Sequence, residues 1–369
     1  YYGRNTAERG TGVVFDAVGD IYFCGATRST LMSTVGVFQP ALGGASDVLI
    51  AKFNGSGVRV WASYCGGSGM DEATGLELDG SGNLFVTGFT SGGFPTTAGA
   101  FQTAFRGIQD AFIVKINIAT PNPTRVWSTY IGGSLEERAA DIDIDVFGNV
   151  LVVGRTLSNN FPVTAGAAQT SIASVSTDAF VAKFTNAGAI IWSTYYGGTS
   201  GEEGMGISSD AIGNIIFGGQ TTSSNFPVSV GAFSTTKALS PYAGTITKFN
   251  SSGTMLWSTY FGNAGTGGCE VYGVTIDRAR DLVYISGGVY LNGLPLWNCA
   301  HQPASGGGGI GGEDLFIAKI NTIDGYPLCN TYLGGAGHDD GTITSPVVYG
   351  NPVGFVGGNI AFNNYDVYI

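Results

Sequence analysis

Trp192-Ser193-Thr194-Tyr195-Tyr196-Gly197-Gly198 decides the fold, because the chain writes it several times. Trp127-Ser128-Thr129-Tyr130-Ile131-Gly132-Gly133, Trp257-Ser258-Thr259-Tyr260-Phe261-Gly262-Asn263 and Trp61-Ala62-Ser63-Tyr64-Cys65-Gly66-Gly67 repeat it. Cys329-Asn330-Thr331-Tyr332-Leu333-Gly334-Gly335 repeats it without the tryptophan. The copies stand about 65 residues apart, a period that signals a repeat architecture. The last interval is longer and contains the glycine-rich run from Gly306 to Gly312.

Each period reads as four strands. Strand A is short, as in Gly75–Asp79, and a tight turn follows at Asp79-Gly80-Ser81-Gly82-Asn83. Strand B is Leu84–Gly88. A long loop then carries Phe94-Pro95, matched by Phe161-Pro162 and Phe226-Pro227. Strand C is Asp178–Phe184, matched by Asp110–Ile116 and Asp314–Ile320, and an N-x-x-G turn leads to strand D, the W-S-T-Y segment. Val, Ile, Phe, Tyr and Thr fill these runs, and Gly, Asn and Asp bound them, as strands and hairpins require. No segment sustains a helical period with caps.

The prediction is an all-β chain forming one β-propeller of four-stranded blades over residues 1–369. Strand A begins near Gly10, Gly75, Ala139, Gly204, Val271 and Gly341, and the last strand C is Tyr365–Ile369. Complete D strands number one fewer, and Tyr1-Tyr2-Gly3 supplies part of the missing one. Six blades are expected, with seven as the alternative, and the N-terminal strand closes the last blade. The repeats run at about 3–64, 65–130, 131–195, 196–260, 261–332 and 333–369 plus 1–2.

Composition narrows the functional classes. Sixty-one glycines sit beside 43% hydrophobic residues, so a packed core is expected rather than a disordered glycine-rich chain. The formal net charge is −11 with no basic stripe, which sets nucleic acid aside as a partner. No apolar run reaches the about 20 residues of a membrane span. The chain opens inside a motif without Met, so it reads as a piece of a longer polypeptide whose other domains are among its partners. Few lysines and an acidic Thr/Ser/Gly-rich surface fit a secreted or cell-surface protein.

The combined pattern G-I-x-x-D-x-x-G-N, G-x-T-x-S-x-x-F-P, G-A-F-Q, D-A-F-V-A-K-F and W-S-T-Y resembles the SBBP family of beta-propeller repeats, over essentially the whole chain. That resemblance implies a large bacterial surface or secreted protein, often from the Bacteroidetes and often exported by type IX secretion. It implies fold and location more than activity.

The chemistry-bearing residues are weighed against structural roles. Lys52, Lys115, Lys183, Lys248 and Lys319 hold one strand-C position, with Asp47, Asp110, Asp178 and Asp314 five residues earlier. A position filled in every blade reads as stacking or pairing rather than a ligand site. The aspartates Asp16, Asp79, Asp145, Asp210 and Asp277 read as A–B turn residues. Asp141, Asp143 and Asp145 share a strand face, and a strand does not wrap an ion.

Acids near the start of each strand A converge on one mouth: Glu8, Asp71 and Glu72, Glu136 and Glu137, Glu202 and Glu203, Glu270, and Asp339 and Asp340. Hydrogen bonding to backbone N–H groups is the favoured reading and no cofactor is expected; the alternative is an axial cation such as calcium, with Glu8, Glu72, Glu137, Glu203, Glu270 and Asp340 the candidate metal ligands and Arg9 and Arg138 placed to offset repulsion. An up-and-down blade puts the long loops on that same face, where a protein or glycan partner would dock. Blade five departs most there, so Trp297, Tyr290 and His301 are the candidate ligand-binding residues. Cys269 and Cys299 fall on the same face as a candidate disulfide, while Cys24 and Cys65 are too far apart to bridge and Cys329 reads as a buried thiol.

Neither histidine sits in a catalytic context. The expectation is a non-catalytic module for adhesion, partner binding or assembly. A carbohydrate-active hydrolase or lyase at the axial mouth and a purely structural spacer are the alternatives.

Overall fold

The computed structural model describes residue 3 and residues 8–173, 176–262, 267–290, 293–295, 300–306 and 313–334. All regular structure among them is strand, in five four-stranded sheets whose spatial order follows the chain. Blade 1 is β1 (Glu8–Phe15), β2 (Ile21–Thr27), β3 (Asp47–Phe53) and β4 (Arg59–Cys65). Blade 2 is β5 (Asp71–Leu78), β6 (Asn83–Thr90), β7 (Asp110–Asn117) and β8 (Thr124–Ile131). Blade 3 is β9 (Glu137–Ile144), β10 (Val150–Thr156), β11 (Asp178–Phe184) and β12 (Ile190–Tyr196). Blade 4 is β13 (Glu202–Ser209), β14 (Ile215–Thr221), β15 (Ala243–Phe249) and β16 (Met255–Phe261). Blade 5 is β17 (Cys269–Asp277), β18 (Leu282–Tyr290), β19 (Glu313–Asn321) and β20 (Pro327–Leu333).

The all-β, propeller-like expectation holds, and the blade count changes. Five blades are described, not six or seven. The sixth repeat and the closing strand Tyr1-Tyr2 lie outside the described residues, and no pairing among the described strands closes the series. The chain divides into two compact units, Tyr1–Thr164 with Ala182–Ser193, and Ala165–Val181 with Thr194–Ile369.

Within the first unit, β1 packs on β5 and β5 on β9; within the second, β13 packs on β17. Strand A is therefore the element that meets its counterpart in the next blade. A one-residue bulge interrupts it at Gly10/Gly12, Ala73/Gly75, Gly204/Gly206 and Val271/Gly273. The extra residue breaks the ladder and frees a group for the neighbour. Thr11 Oγ1 donates to the Ala73 carbonyl at 2.8 Å, and Thr74 Oγ1 to that of Ala139 at 2.9 Å.

The recurrent lysine and tryptophan tie sheets together at the other end, as their repetition predicts. The lysine's carboxylate partner comes from the A–B turn of its own blade: Lys52–Asp20 at 2.7 Å, Lys183–Asp145 at 2.8 Å and Lys248–Asp210 at 3.1 Å. Trp127 Nε1 donates to the Asn186 carbonyl of the next blade at 2.9 Å, and Trp257 Nε1 to that of Thr322 at 2.9 Å. The C–D turns that receive these indoles need glycine. Gly188 and Gly325 have φ of 85° and 75°, and a Cβ on either would lie within about 3 Å of the ring. Lys115 differs from its sisters, bonding Asn186 of the next blade rather than an aspartate.

Strand D leaves each sheet with an unpaired edge, and the long B–C loop returns along it. Thr34 N–H donates to Ala62 O and Tyr64 N–H to Gln39 O; blade 2 repeats this with Thr97 to Ser128 and Tyr130 to Gln102. Thr164 to Ser193, Ser229 to Ser258 and Tyr332 to Gln302 continue the pattern. The W-S-T-Y side chains fasten the loop. Tyr130 Oη donates to Phe94 O at 2.9 Å, Thr129 Oγ1 receives the Gln102 N–H at 2.9 Å, and Ser128 and Ser193 Oγ donate to Pro95 O and Pro162 O. Phe94 plugs the loop into its own blade, stacked at 4.1 Å on Phe112. The loops that topology assigned to a ligand face are thus largely covers for a β-edge.

Lys183 and Asp145 are 4% and 0% exposed, so removing one leaves a buried uncompensated charge. Lys183→Met should cost about 3 kcal/mol in chemical denaturation. Lys115→Met, with no aspartate to strand, should cost about 1 kcal/mol.

Candidate functional site

The buried acids gather where strand A of one blade meets strand C of the blade before. The expected ligand set falls on two register positions of strand A. Glu8 pairs with Thr27 and Glu137 with Thr156, at the first residue of the strand. Asp71 and Glu202, named with their neighbours but not chosen as ligands, occupy the same place opposite Thr90 and Thr221. Glu72, Glu203 and Glu270 sit one residue later, opposite Phe89, Gln220 and Gly288, and so project to the other side. Asp340 lies outside the described residues.

The second position is mixed in sign. Arg9 lies 3.7 Å from Glu72, and Tyr272 Oη donates to Glu270 at 2.7 Å. Arg138 bonds Gln109 at 2.7 Å and sits 4.5 Å over the Phe89 ring.

The first position is a network of buried carboxylates. Glu137 receives the Gly133 N–H at 2.6 Å and Thr156 Oγ1 at 2.6 Å; Glu202 receives the Gly198 N–H at 3.0 Å and Thr221 Oγ1 at 2.6 Å. Burial pushes both carboxyls up despite these donors. The G-x-T-x-S threonine is the side chain the structure needs here, and the serine two residues on joins it, as Ser29 does on Glu8.

Facing each of these acids is the strand-C aspartate of the preceding blade. Asp47 accepts N–H groups from Gly43 at 2.8 Å and Gly44 at 3.1 Å, and Asp110 from Arg106 at 2.9 Å and Gly107 at 3.0 Å. In blades 1, 2 and 3 one glutamine completes the device. Gln102 Nε2 donates to Asp110 at 3.1 Å while its Oε1 receives the Gly132 N–H at 3.1 Å. Gln39 does the same between Asp47 and Gly66, and Gln169 between Asp178 and Gly197. Sequence reasoning saw the glutamine only inside G-A-F-Q and gave it no role.

A glycine separates the two carboxyls of each pair. A Cβ on Gly66 would lie 2.6 Å from Asp47 and from Asp71; on Gly132, 2.6 Å from Asp110 and 2.8 Å from Glu137. On Gly197 it would meet Glu202 at 2.6 Å and Asp178 at 3.0 Å. Burial, joined by the facing carboxylate, raises Asp71 and Asp110 to about 6. A carboxylate that already accepts an N–H on one oxygen and a hydroxyl on the other has little left to offer a substrate, so most of these acids hold the B–C and D–A loops in place.

Elsewhere Tyr290 ends β18 and is half-buried, and His301 is exposed; Trp297 and Cys299 lie outside the described residues. Cys24, Cys65 and Cys269 are buried thiols. Cys329 is disulfide-bonded, which corrects two expectations: Cys269 is not half of a disulfide, and Cys329 is not a thiol. Cys269 stands at the first position of strand A, opposite Val289, inside the sheet rather than in the loop.

Gln102→Ala should strand the Gly132 N–H and remove a donor from Asp110. A loss of about 2 kcal/mol is expected, with faster proteolytic cleavage in residues 94–109 than elsewhere.

No curated protein matches the chain. Among solved structures, a protein of unknown function from Dyadobacter fermentans is similar at 10% identity and a TM-score of 0.45, over 92% of this chain and 86% of that one. A member of the DUF4221 family from Bacteroides vulgatus is similar at 11% identity and a TM-score of 0.33, over 90% and 83%. An apocarotenoid oxygenase from Synechocystis is similar at 12% identity and a TM-score of 0.38, over 87% and 69%. Residues 126–162, from the strand-D motif of blade 2 through the Phe-Pro of blade 3, match the SBBP family model, described as a beta-propeller repeat.

Proposed function

We propose that the chain is a non-catalytic binding module of a larger secreted or cell-surface protein, acting in adhesion or assembly. The observation that carries this reading is the internal use of the recurrent chemistry. Lysines, turn aspartates, strand-end acids, glutamines and the W-S-T-Y side chains bond their own or the next blade. Apolar side chains that face solvent remain available to a partner. Leu31 and Val35 on the blade 1 loop are 71% and 99% exposed, and Val230 and Leu239 on the blade 4 loop are equally open. Apolar loop tips favour a protein partner over a nucleic acid.

A disulfide at Cys329 supports an oxidising compartment, in keeping with secretion or surface display. Export by the type IX route and a Bacteroidetes source belong to the same reading. Trp297, Tyr290 and His301 are the proposed aromatic contacts on the blade 5 loop, and a glycan is the second partner class there. A carbohydrate-active enzyme remains the competing class, with an axial cation such as calcium as its accessory, and a spacer without a ligand the third.

The full chain should be screened on glycan and extracellular-protein arrays, and against a polysaccharide panel for release of reducing ends or unsaturated products. Binding without turnover is expected, weakened at least tenfold by Val35→Asp, Val230→Asp or Trp297→Ala. Turnover would replace the module reading with the enzyme, and silence on every array would leave the spacer.

A further inference from the structure

Blade 2 breaks the pattern at the first position of strand A. Glu8, Glu137 and Glu202 carry a glutamate there, and its Oε1 reaches the threonine that ends strand B. Asp71 is one methylene shorter. Its Oδ2 receives the Gly67 N–H at 2.8 Å; the Thr90 hydroxyl is near enough to favour the anion, yet Oδ1 is buried with no partner in hydrogen-bond geometry, and the residue is 0% exposed. The second donor is missing too. Ser29, Ser158 and Ser223 follow their threonines by two residues, whereas Gly92 follows Thr90. Beyond Gly66 stands Asp47 with its own donors.

We propose that Asp71 takes up a proton in mildly acidic solution, making the seam between blades 1 and 2 a joint that acid tightens. A buried carboxylate with an unpartnered oxygen is costly as an anion and far cheaper neutral. The groups facing it are Asp47 from β3, Cys65 from β4, Thr90 from β6 and Tyr130 from β8, with Arg125 acting on Cys65. Cys65 and Tyr130 are both pushed up to about 12, so they stay neutral, and Asp47 remains the charge that repels an ionised Asp71.

The sign follows. Burial raises Asp71 from 3.8 to about 6, so the folded chain binds the proton more tightly than the unfolded one. Stability therefore rises as pH falls from about 7 through 6 and levels off near 4. Asp110 lies in the same range and adds its own share, although its oxygens have donors from Gly107, Arg106 and Gln102. What singles out Asp71 is that the other blades show its repair.

Thermal unfolding of the full chain, followed at pH 7.5, 6.5 and 5.5 in constant ionic strength and EDTA, tests this. The wild-type midpoint should rise by about 2 °C from pH 7.5 to 5.5. Asp71→Glu restores the residue of the other blades and should raise the midpoint at pH 7.5 while removing about half of the rise. Asp71→Asn should flatten the profile likewise. A wild-type midpoint that is flat or falls on acidification overturns the proposal without any variant. So does an Asp71→Glu profile as steep as wild type. A midpoint raised by calcium at pH 7.5 in wild type but not in Asp71→Asn would show that an ion, not a proton, fills the place. Should neither variant fold, carboxyl carbon-13 titration of wild type decides: no aspartate titrating between pH 5 and 7 overturns it.

Discussion

Each four-stranded sheet among the described residues ends in an edge at strand D, and much of the repeat exists to cover it. An uncovered edge is a template for pairing with another chain. Here the B–C loop doubles back and donates backbone hydrogen bonds to the edge, as Thr97 does to Ser128. A loop is an unstable cover unless it is fastened, because ordering its backbone is entropically costly. The W-S-T-Y motif supplies the fastenings from the strand side: serine to the proline carbonyl, threonine to the glutamine backbone, tyrosine to the phenylalanine carbonyl. One short motif is thus a strand, an edge and a set of loop anchors together.

Fastening the far end of the loop puts an anion in the interior. The strand-C aspartate gathers the last N–H groups of the loop and holds the glutamine. The next blade's first strand brings a second carboxylate for the D–A loop, and only a glycine fits between them. Blade 4 shows that the requirement is loop gathering and not the aspartate itself. Ala243 stands where the aspartate would be and Ser234 where the glutamine would be. Lys237, the one lysine outside strand C, donates to the carbonyls of Ala238, Ser240 and Pro241 instead. A cation collecting C=O groups replaces an anion collecting N–H groups, and both lost residues go together.

The sequence showed strands and turns clearly because their signals are local. Asp145 receives the N–H groups of Phe147 and Asn149, a partner set contained within five residues. Other partners are remote. Lys183 lies 38 residues from Asp145, and its nearer candidate, Asp178, belongs to the glutamine instead. The acids of strand A were recognised as a group but not sorted, because alternation assigns Glu137 and Glu203 to opposite sides. Asp71 and Glu202 were not set apart for the same reason: each is followed by a second acid, and proximity to the loop does not say which one turns inward. Only the threonine opposite, readable once strands A and B are paired, separates them.

Repetition also decides where activity can reside. A residue written into every blade answers to the blade, and its loss should weaken folding before it weakens binding. Departures answer to something else, and they are of two kinds. Lys237 and Asp281, the latter holding a positive φ where other blades have glycine, preserve a structural task by other means. Asp71 keeps the Gly67 N–H but leaves its other oxygen without a donor in a place where the neighbouring repeats show how to supply one. A defect that a single methylene would mend is the departure that calls for an explanation beyond the blade.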